Sequence, residues 1–315
     1  MTLRFAAAAL AFGVISPAVA QDLALAAGGT RLQEPHDTSY GWLVSYSHDL
    51  APHWSAAFTY RNEGHVPSHH RDGHSAQLWY STHDGEGFAL RGGIGPYRYF
   101  DTAVAENPFG FENAHGWGAA YSLAATWKPH GPWRWELRVD RIQARGSFDT
   151  TQAMVGATYR LNQDGSFASN ATPGAFGARD HEIDVMAGQT IVNSFESQNA
   201  TARLVELRAA LAPSVRASLG VLSEGHAGLL DRHGVVAQLW LEPSFSGDEY
   251  TLGVGLGPYY ANDQERPGNH WHALVGTTFS WHFTRAWSAR ITWNRVSSNY
   301  DRDSDIITAG LGYRF

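Results

Sequence analysis

The chain has 315 residues, a formal net charge of −7 and no cysteine, which excludes a disulfide framework, a thiolate metal site and a cysteine nucleophile. The acidic balance argues against a nucleic-acid partner. Aromatic residues make up 13% of the chain and glycines number 33, while the mean hydropathy is slightly negative. This composition is typical of a β-protein, either soluble or inserted in a membrane as a barrel.

The N-terminus has the pattern of an export signal. Arg4 supplies a positive start, residues 5–15 form an apolar run, and residues 18–20 form a small-residue processing motif. The run is too short to span a bilayer as a helix, and no later stretch reaches eighteen apolar residues. The sequence therefore predicts a signal peptide over residues 1–20.

Alternating apolar and polar residues predict sixteen strands, eight in each half of the mature chain. Short connections alternate with long polar ones such as 62–73 and 101–115, as periplasmic turns alternate with extracellular loops in membrane barrels. The predicted strands are 22–30, 38–48, 53–61, 74–82, 87–100, 115–128, 132–142 and 149–161, then 181–190, 200–210, 214–223, 234–242, 249–260, 270–283, 286–296 and 304–315.

Two pairs of tryptophans have the spacing of a membrane-spanning strand. Trp117 and Trp127 lie ten residues apart on one strand face, and Trp271 and Trp281 repeat the pattern. Ten residues rise about 33 Å, and a tilt near 40° reduces this to roughly 25 Å, the height of an apolar band between two aromatic girdles. The sequence therefore favours an antiparallel transmembrane β-barrel over a soluble sandwich.

The two halves of the mature chain share motifs at nearly constant offsets of 161, 162 and 154 residues. We interpret these matches as an internal duplication with units at 21–161 and 181–315. The matching segments are 50–52 and 211–213, 63–65 and 224–226, 76–79 and 237–240, 93–97 and 255–259, and 159–161 and 313–315.

Residues 162–180 connect the halves and are rich in Gly, Ala, Ser and Asn, which predicts a linker. Such a linker fits one sixteen-stranded barrel or two eight-stranded barrels. An eight-stranded interior is filled by side chains, whereas sixteen strands leave an aqueous channel. Small residues on the inward face of the second half favour the single barrel, with two barrels as the alternative. These residues are Gly253, Gly255, Gly257, Gly276, Ser280 and Ser288.

Two sets of residues lie on the strand faces that alternation assigns to the barrel interior, and they are candidates for lining a lumen. A charged stripe must face inward because charges facing lipid are costly, and it either stiffens the wall or sets selectivity. Tryptophans beside glutamines either offer a surface for a sugar chain, since CH groups stack on indole, or pack against an in-folded loop. The predicted lumen-lining residues are Arg134, Glu136, Arg138, Asp140, Trp79, Trp240, Gln77 and Gln238.

The connection at 62–73 is rich in histidine and carboxylate, the residue types that bind Zn²⁺ or Cu²⁺. Glu63 and His65 recur as Glu224 and His226, but the second half lacks the adjacent histidine pair. The pattern favours a solvated extracellular loop, or a Glu-His hydrogen bond at the rim, over a metal site, so we expect no cofactor. The weak metal candidates are His65, His69, His70 and His74.

The final segment, 305–315, alternates strictly, with Ile307, Leu311, Tyr313 and Phe315 on one face, and it ends on that last aromatic residue. It resembles the closing strand of Gram-negative outer-membrane β-barrels, and we identify no narrower family. The resemblance implies insertion in the outer membrane after export, with outer-membrane lipid and lipopolysaccharide as neighbours.

A lipid-modifying enzyme is the competing class. Outer-membrane phospholipases and lipid A deacylases resemble this chain in fold, and their pattern places a His two residues before a catalytic Ser. Val296 stands two residues before Ser298, and Val66 stands two before Ser68. Because a serine without a positioned base is a poor nucleophile, we expect no enzymatic activity.

The sequence therefore favours an outer-membrane pore, and its most specific form is the export or uptake of a glycan. Such a pore would work with a glycan or an envelope export partner. The glycan-transport hypothesis depends on fold-level analogy to polysaccharide-export barrels. The alternatives are the lipid-modifying enzyme and a surface adhesin or receptor, which would need only the loops.

Overall fold

The computed structural model describes residues 21–33, 37–161, 181–196, 198–212, 214–228, 230–246, 249–264, 266 and 268–315. The predicted signal peptide and the predicted linker lie outside these residues. Within the described part of the chain, there is no helix that is long and apolar enough to cross a membrane.

The described residues form seventeen antiparallel strands. The first half contains β1 (Gln21–Leu32), β2 (Thr38–Ala51), β3 (Trp54–Val66), β4 (His69–Ser81), β5 (Gly87–Val104), β6 (Phe111–Lys128), β7 (Trp133–Ala144) and β8 (Thr150–Arg160). The second half contains β9 (His181–Val192), β10 (Asn199–Ala212), β11 (Val215–His226), β12 (Asp231–Leu241), β13 (Ser244–Phe245), β14 (Tyr250–Asp263), β15 (Asn269–Trp281), β16 (Trp287–Ser297) and β17 (Ser304–Arg314).

Each half closes on itself. In the first half β1 pairs with both β2 and β8, and Leu25 lies opposite Val44 on one side and Ala157 on the other. In the second half β9 pairs with β10 and β17, and β12 pairs with β14. The two-residue β13 adds to β14 outside this ring. The chain therefore contains a first barrel, β1–β8, and a second barrel, β9–β12 with β14–β17.

The all-β antiparallel prediction and its two-barrel alternative are confirmed, and the preference for one sixteen-stranded barrel is wrong. That preference assumed that an inward face rich in glycine cannot fill a closed interior. A Cβ atom on Gly255 would overlap the indole of Trp240, and one on Gly276 would overlap the amide of Asn294. The small residues therefore leave room for large side chains from neighbouring strands, which fill the narrow interior.

The outer walls of both barrels are apolar. Leu123 on the first barrel and Leu256 on the second are 70% and 69% exposed. Aromatic side chains flank these apolar bands, as they do in membrane barrels. Both barrels therefore have the architecture of transmembrane β-barrels of the outer-membrane type. Exposed outward aromatics include Trp54, Trp117, Trp127, Trp133, Trp271, Trp281, Trp287 and Tyr313.

Several strands extend further than predicted at the end that carries the β1–β2, β3–β4, β5–β6 and β7–β8 connections and their second-barrel equivalents. We call this the rim end and the opposite end the base end. The ladder continues to His65 opposite His70, and Asp101 lies opposite Ala114. The expected loops at 62–73 and 101–115 are therefore largely strand. These strand segments are polar because their side chains face polar partners instead of an apolar core. That polarity led to the prediction of loops.

Candidate functional site in the barrel interiors

A buried carboxylate organises the rim end of the first barrel. Glu63 on β3 forms an ion pair with Arg71 on β4. The hydroxyl of Thr150 donates to Glu63 Oε2 at 2.6 Å, and the hydroxyl of Tyr97 donates to Oε1. Arg71 Nη1 also donates to Ser147 Oγ at 2.9 Å. Three strands and the β7–β8 connection are thereby joined to one carboxylate.

The second barrel contains the same cluster. Glu224 on β11 forms an ion pair with Arg232 on β12, whose Nη2 donates to Glu224 Oε2 at 3.0 Å. Ser304 Oγ donates to the same oxygen at 2.6 Å. The guanidinium carbon of Arg232 lies 5.8 Å from the ring centre of Tyr259. We call these two groups the rim clusters, and each role is filled at the same strand position of both barrels.

The expectation that Glu63, His65, Glu224 and His226 lie in an extracellular loop is wrong. The two glutamates are buried, and all four residues lie on β3 or β11. A carboxylate at such depth needs a cation, and the cation is an arginine instead of the predicted histidine. The arginine stands eight residues after the glutamate in both halves, a signal that the sequence contained. His65 and His226 are exposed at the strand ends.

The first barrel is polar at mid-height. Arg61 Nη1 donates to Asp140 at 2.8 Å and to Gln152 Oε1 at 2.6 Å, and Arg138 Nε donates to the same aspartate at 2.8 Å. All four side chains are buried. Within the described part of the chain, Nε and Nη2 of Arg61 have no hydrogen-bond partner. This middle layer is therefore a buried ion cluster.

The second barrel has no buried ion pair in its described residues at the same height, where apolar side chains surround Thr292 and Asn294. Its core cluster consists of Met186, Ala202, Leu204, Leu222, Val236, Tyr259, Ala261, Leu274, Val296 and Ile306. Where the middle layer of the first barrel has Arg61, Arg138, Asp140 and Gln152, the second barrel has Leu222, Thr292, Asn294 and Ile306. The first barrel thus has polar groups at every level, whereas an apolar block separates the two ends of the second.

The tryptophans predicted to line the lumen point inward but are covered. The Trp79 indole lies between two guanidinium groups, with Arg91 5.2 Å and Arg138 4.8 Å from its centre. Trp240 Nε1 donates to Ser218 Oγ at 3.0 Å. Both indoles are buried, so neither presents an open face on which a sugar ring can stack.

The predicted charged stripe of β7 lies inside the first barrel at three heights. Arg138 and Asp140 belong to the middle layer, and Glu136 lies below them. Arg134 reaches the base end, where Nη2 donates to Asp22 at 3.0 Å. The stripe therefore pairs mainly across strands, and only Arg138 and Asp140 pair along it. Gln77 of the predicted set lies 3.4 Å from Arg138 Nη2.

The base end of the second barrel holds an ion network that the sequence did not predict. Arg290 Nε lies 3.0 Å from Asp184, and its Nη1 lies 3.2 Å from Glu242. Arg208 Nη2 donates to the same glutamate at 2.6 Å. These charges come from four different elements, so no single stripe revealed them. The predicted Gln238 lies above the network and donates to Asn294 at 3.1 Å.

The four histidines proposed as weak metal candidates are divided among different surroundings. His65 Nδ1 lies 2.8 Å from His70 Nε2, whereas His69 Nδ1 lies 3.1 Å from Asp101. His74 is buried on the outward face of β4. Among the residues that the structure describes, no group of three or more His, Cys, Asp or Glu is arranged to hold a metal ion.

In the described part of the chain, neither of the two candidate serines has a histidine at its hydroxyl. Ser298 Oγ donates to Asp303 Oδ1 at 3.1 Å and accepts from the Arg302 N–H at 3.0 Å. His115 Nε2 reaches the carbonyl oxygen of Ser298 at 2.9 Å, not its hydroxyl. Ser68 occupies the tip of the β3–β4 hairpin with a φ of 66°. Ser298 is thus paired with a carboxylate, and the described geometry pairs neither hydroxyl with a histidine.

No protein-family model matches the sequence, and no curated protein matches it significantly. Solved structures similar to it include the N-terminal barrel of OprF from Pseudomonas aeruginosa (14% identity, 44% of this chain, 96% of that chain, TM-score 0.36). Ail of Yersinia pestis matches at 14% identity over 45% of this chain and 97% of its own, with a TM-score of 0.35. The translocator domain of NalP from Neisseria meningitidis matches at 12% identity over 95% and 89%, with a TM-score of 0.21.

Proposed function

We propose that this chain is an outer-membrane protein that conducts water and small ions through its first barrel, while its second barrel is closed. The observation that carries the proposal is the contrast at mid-height between the Arg61, Asp140 and Arg138 cluster and the apolar block of the second barrel. The proposal includes export under the direction of residues 1–20 and contact with lipopolysaccharide in the outer leaflet.

The first barrel supports a narrow and selective pathway. Its middle layer has two arginines against one aspartate, which leaves an excess positive charge and favours anions. The interior is filled, so passage requires the side chains of this layer to exchange partners. We therefore expect brief steps of conductance far below those of an open sixteen-stranded channel.

Transport of a glycan is not part of this proposal. An eight-stranded barrel has an interior that side chains fill, and a sugar chain is wider than the gaps between them. The argument for a glycan depended on open indole faces, and Trp79 and Trp240 are buried against protein groups. We also propose no catalytic step, cofactor or nucleic-acid partner.

Single-channel recording of the refolded mature chain in a planar bilayer tests the proposal. We expect small anion-selective steps in the wild type and none in a variant whose middle layer copies the second barrel. This variant combines Arg61→Leu, Arg138→Thr, Asp140→Asn and Gln152→Ile.

The matched control places the polar layer in the second barrel by the reverse changes. It should add a second conductance of similar size, because the same ion cluster would then replace the apolar block. A silent wild type with both barrels folded, or unchanged steps in the first variant, would contradict the proposal. The reverse variant combines Leu222→Arg, Thr292→Arg, Asn294→Asp and Ile306→Gln.

A surface receptor or adhesin is the second candidate, and the exposed aromatics at the rim end favour it. Phe109 in the β5–β6 connection and Phe195 in the β9–β10 connection are 47% and 40% exposed. Exposed aromatics on loops held by a rigid scaffold are typical of binding surfaces. Under this proposal, Phe109→Ser with Phe195→Ser lowers the binding of producing cells to host surfaces and leaves conductance unchanged.

A further inference from the structure

Polar residues interrupt the apolar outer walls where the two barrels meet. By strand alternation, Asp72 and His74 on β4 face away from the interior of the first barrel, and Arg295 on β16 faces away from that of the second. Outward positions of a membrane barrel are normally apolar because lipid cannot solvate charge. These three side chains are nevertheless buried, so protein and not lipid surrounds them.

The outward residues of one barrel pair with those of the other. Arg295 forms an ion pair with Asp72 across the contact and a second one with Asp305 on its own barrel at 3.1 Å. The Tyr60 hydroxyl donates to Asp72 at 2.9 Å, and its ring meets the Trp293 ring edge-on at 4.4 Å. Trp293 Nε1 donates to Asp305 at 2.9 Å. Both arginine–carboxylate pairs are thus covered by aromatic rings.

The contact continues to the rim end through Asn113 and through His115, whose Nε2 lies 2.9 Å from the Ser298 carbonyl oxygen. The backbone N–H of Asn113 on β6 donates to Asp301 at 2.8 Å, and its side-chain amide donates to the Asn193 carbonyl at 2.9 Å. The backbone N–H of Asp303 donates to the Asn113 side-chain oxygen at 3.0 Å. Three hydrogen bonds of Asn113 therefore cross between the barrels, while its side-chain amide also donates to Thr102 Oγ1 on its own barrel at 3.1 Å.

The ring-bearing positions of this contact are valines at the same strand positions of the opposite barrel, which make no such contact, whereas Arg295 corresponds to Arg141 and Asp72 to His233. Tyr60 and His74 correspond to Val221 and Val235, and Trp293 corresponds to Val139. The three valines are 62%, 47% and 46% exposed, as expected for residues that face lipid. The two halves therefore differ in side-chain chemistry where they touch.

We propose that these residues form a seam, a specific lateral interface that holds the two barrels together and takes the other half of this chain as its partner. Separation would expose Asp72 and Arg295 to lipid, which is far less favourable than their pairing in the seam. The seam consists of Tyr60, Asp72, His74, Asn113 and His115 on the first barrel and Asn193, Trp293, Arg295, Ser298, Asp301, Asp303 and Asp305 on the second.

The test cuts the full-length chain after it has folded. A protease site is placed within residues 162–180 and an affinity tag after Phe315, and the refolded protein is cleaved in mild detergent. We expect the first barrel to co-elute with the tagged second barrel. Combining Tyr60→Val, His74→Val and Trp293→Val should reduce that co-elution about tenfold or more, because buried aromatic anchors dominate interface energy.

The matched control changes outward aromatics away from the seam, Tyr121→Val and Trp271→Val, and should leave co-elution unchanged. Heat-dependent mobility on gels shows that each barrel remains folded. Trp293→Val alone, which copies Val139, serves if the triple variant does not fold, and it should give a smaller reduction. Separation of folded wild-type halves after cleavage, or undiminished co-elution of the folded seam variants, would overturn the proposal.

Discussion

The two barrels share a frame and a rim cluster but differ in what fills their middle. Glu63 with Arg71 and Glu224 with Arg232 play the same part in each. Below them, one barrel is filled by paired charges and the other by apolar side chains. The comparison teaches that an eight-stranded ring tolerates either filling, provided that the volume is occupied and each buried charge has a partner.

The difference between the middle layers involves several positions together. If Arg61 alone became the leucine of the second barrel, Asp140 would lose one of its two cations and Gln152 would lose its donor. Removing one partner of a buried ion pair is strongly destabilising, whereas replacing the whole group by apolar residues can be neutral. The interior is therefore stable with either the complete polar set or the complete apolar set of residues, but not with a mixture that leaves a charge unpaired.

The largest expected effect comes from breaking the polar layer by one change. Arg61→Leu should lower the free energy of unfolding of the first barrel by about 5 kcal/mol, because it leaves Asp140 undercompensated in the interior. Urea unfolding in lipid vesicles, followed by tryptophan fluorescence, measures the loss. The fourfold change that copies the second barrel should recover most of it, and an Arg61→Leu variant as stable as the wild type would refute the coupling.

The apolar block should respond more strongly to a cavity than the polar layer does. Leu204→Ala, within the ten-residue cluster, should cost about 4 kcal/mol. Leu43 occupies the same strand position of the first barrel and belongs to a cluster with only Ala26 and Met154. Leu43→Ala should cost about 2 kcal/mol, because adjacent polar groups let water enter the space. Equal costs in the same unfolding assay would contradict the contrast.

The glycines that admit the tryptophans offer a smaller test. Gly255→Ala places a methyl group against the buried Trp240 ring, and this overpacking should cost about 1–3 kcal/mol. Gly92→Ala is the control, since its Cβ would meet only the Leu123 side chain at 3.7 Å. We expect the control to match the wild type in unfolding free energy or exceed it slightly. A harmless Gly255→Ala would mean that the interior is loosely filled.

Measured per pH unit, the smallest effect concerns acid at the base end of the second barrel. Burial, followed by the charge of Arg314, lowers the pKa of His282 from 6.5 to about 3. As pH falls below 6.5 the unfolded chain takes up a proton on His282 that the folded chain does not, so stability decreases towards pH 3. The slope stays below the roughly 1.4 kcal/mol per pH unit of one proton.

A comparison of unfolding midpoints between pH 7 and pH 4 isolates this histidine. His282→Gln should flatten the pH dependence, because glutamine cannot take up the proton. The first barrel has Lys128 at the same position, and lysine keeps its charge throughout this range. An unchanged slope in His282→Gln would place the acid sensitivity elsewhere.

Alternation in the sequence determined the local features of this protein. Because strand side chains alternate between two faces, the sequence predicted most strands to within a few residues and placed residues such as Arg138 and Trp240 on the inward face. Tryptophan spacing predicted the apolar band. Each of these features is set by the residues of a single strand, so the sequence of that strand is enough to predict it.

The tertiary structure decided which strands close each ring and what the polar residues contact. β1 has the same alternation whether it pairs with β8 or with β17, so closure depends on how side chains from several strands fill the interior. The pairing of Glu63 with Arg71 and of Asp72 with Arg295 joins separate strands or separate barrels. In the sequence, Glu63, Arg71 and Asp72 lay in a segment predicted to be a solvated loop, because polarity alone does not distinguish water from a buried charged partner.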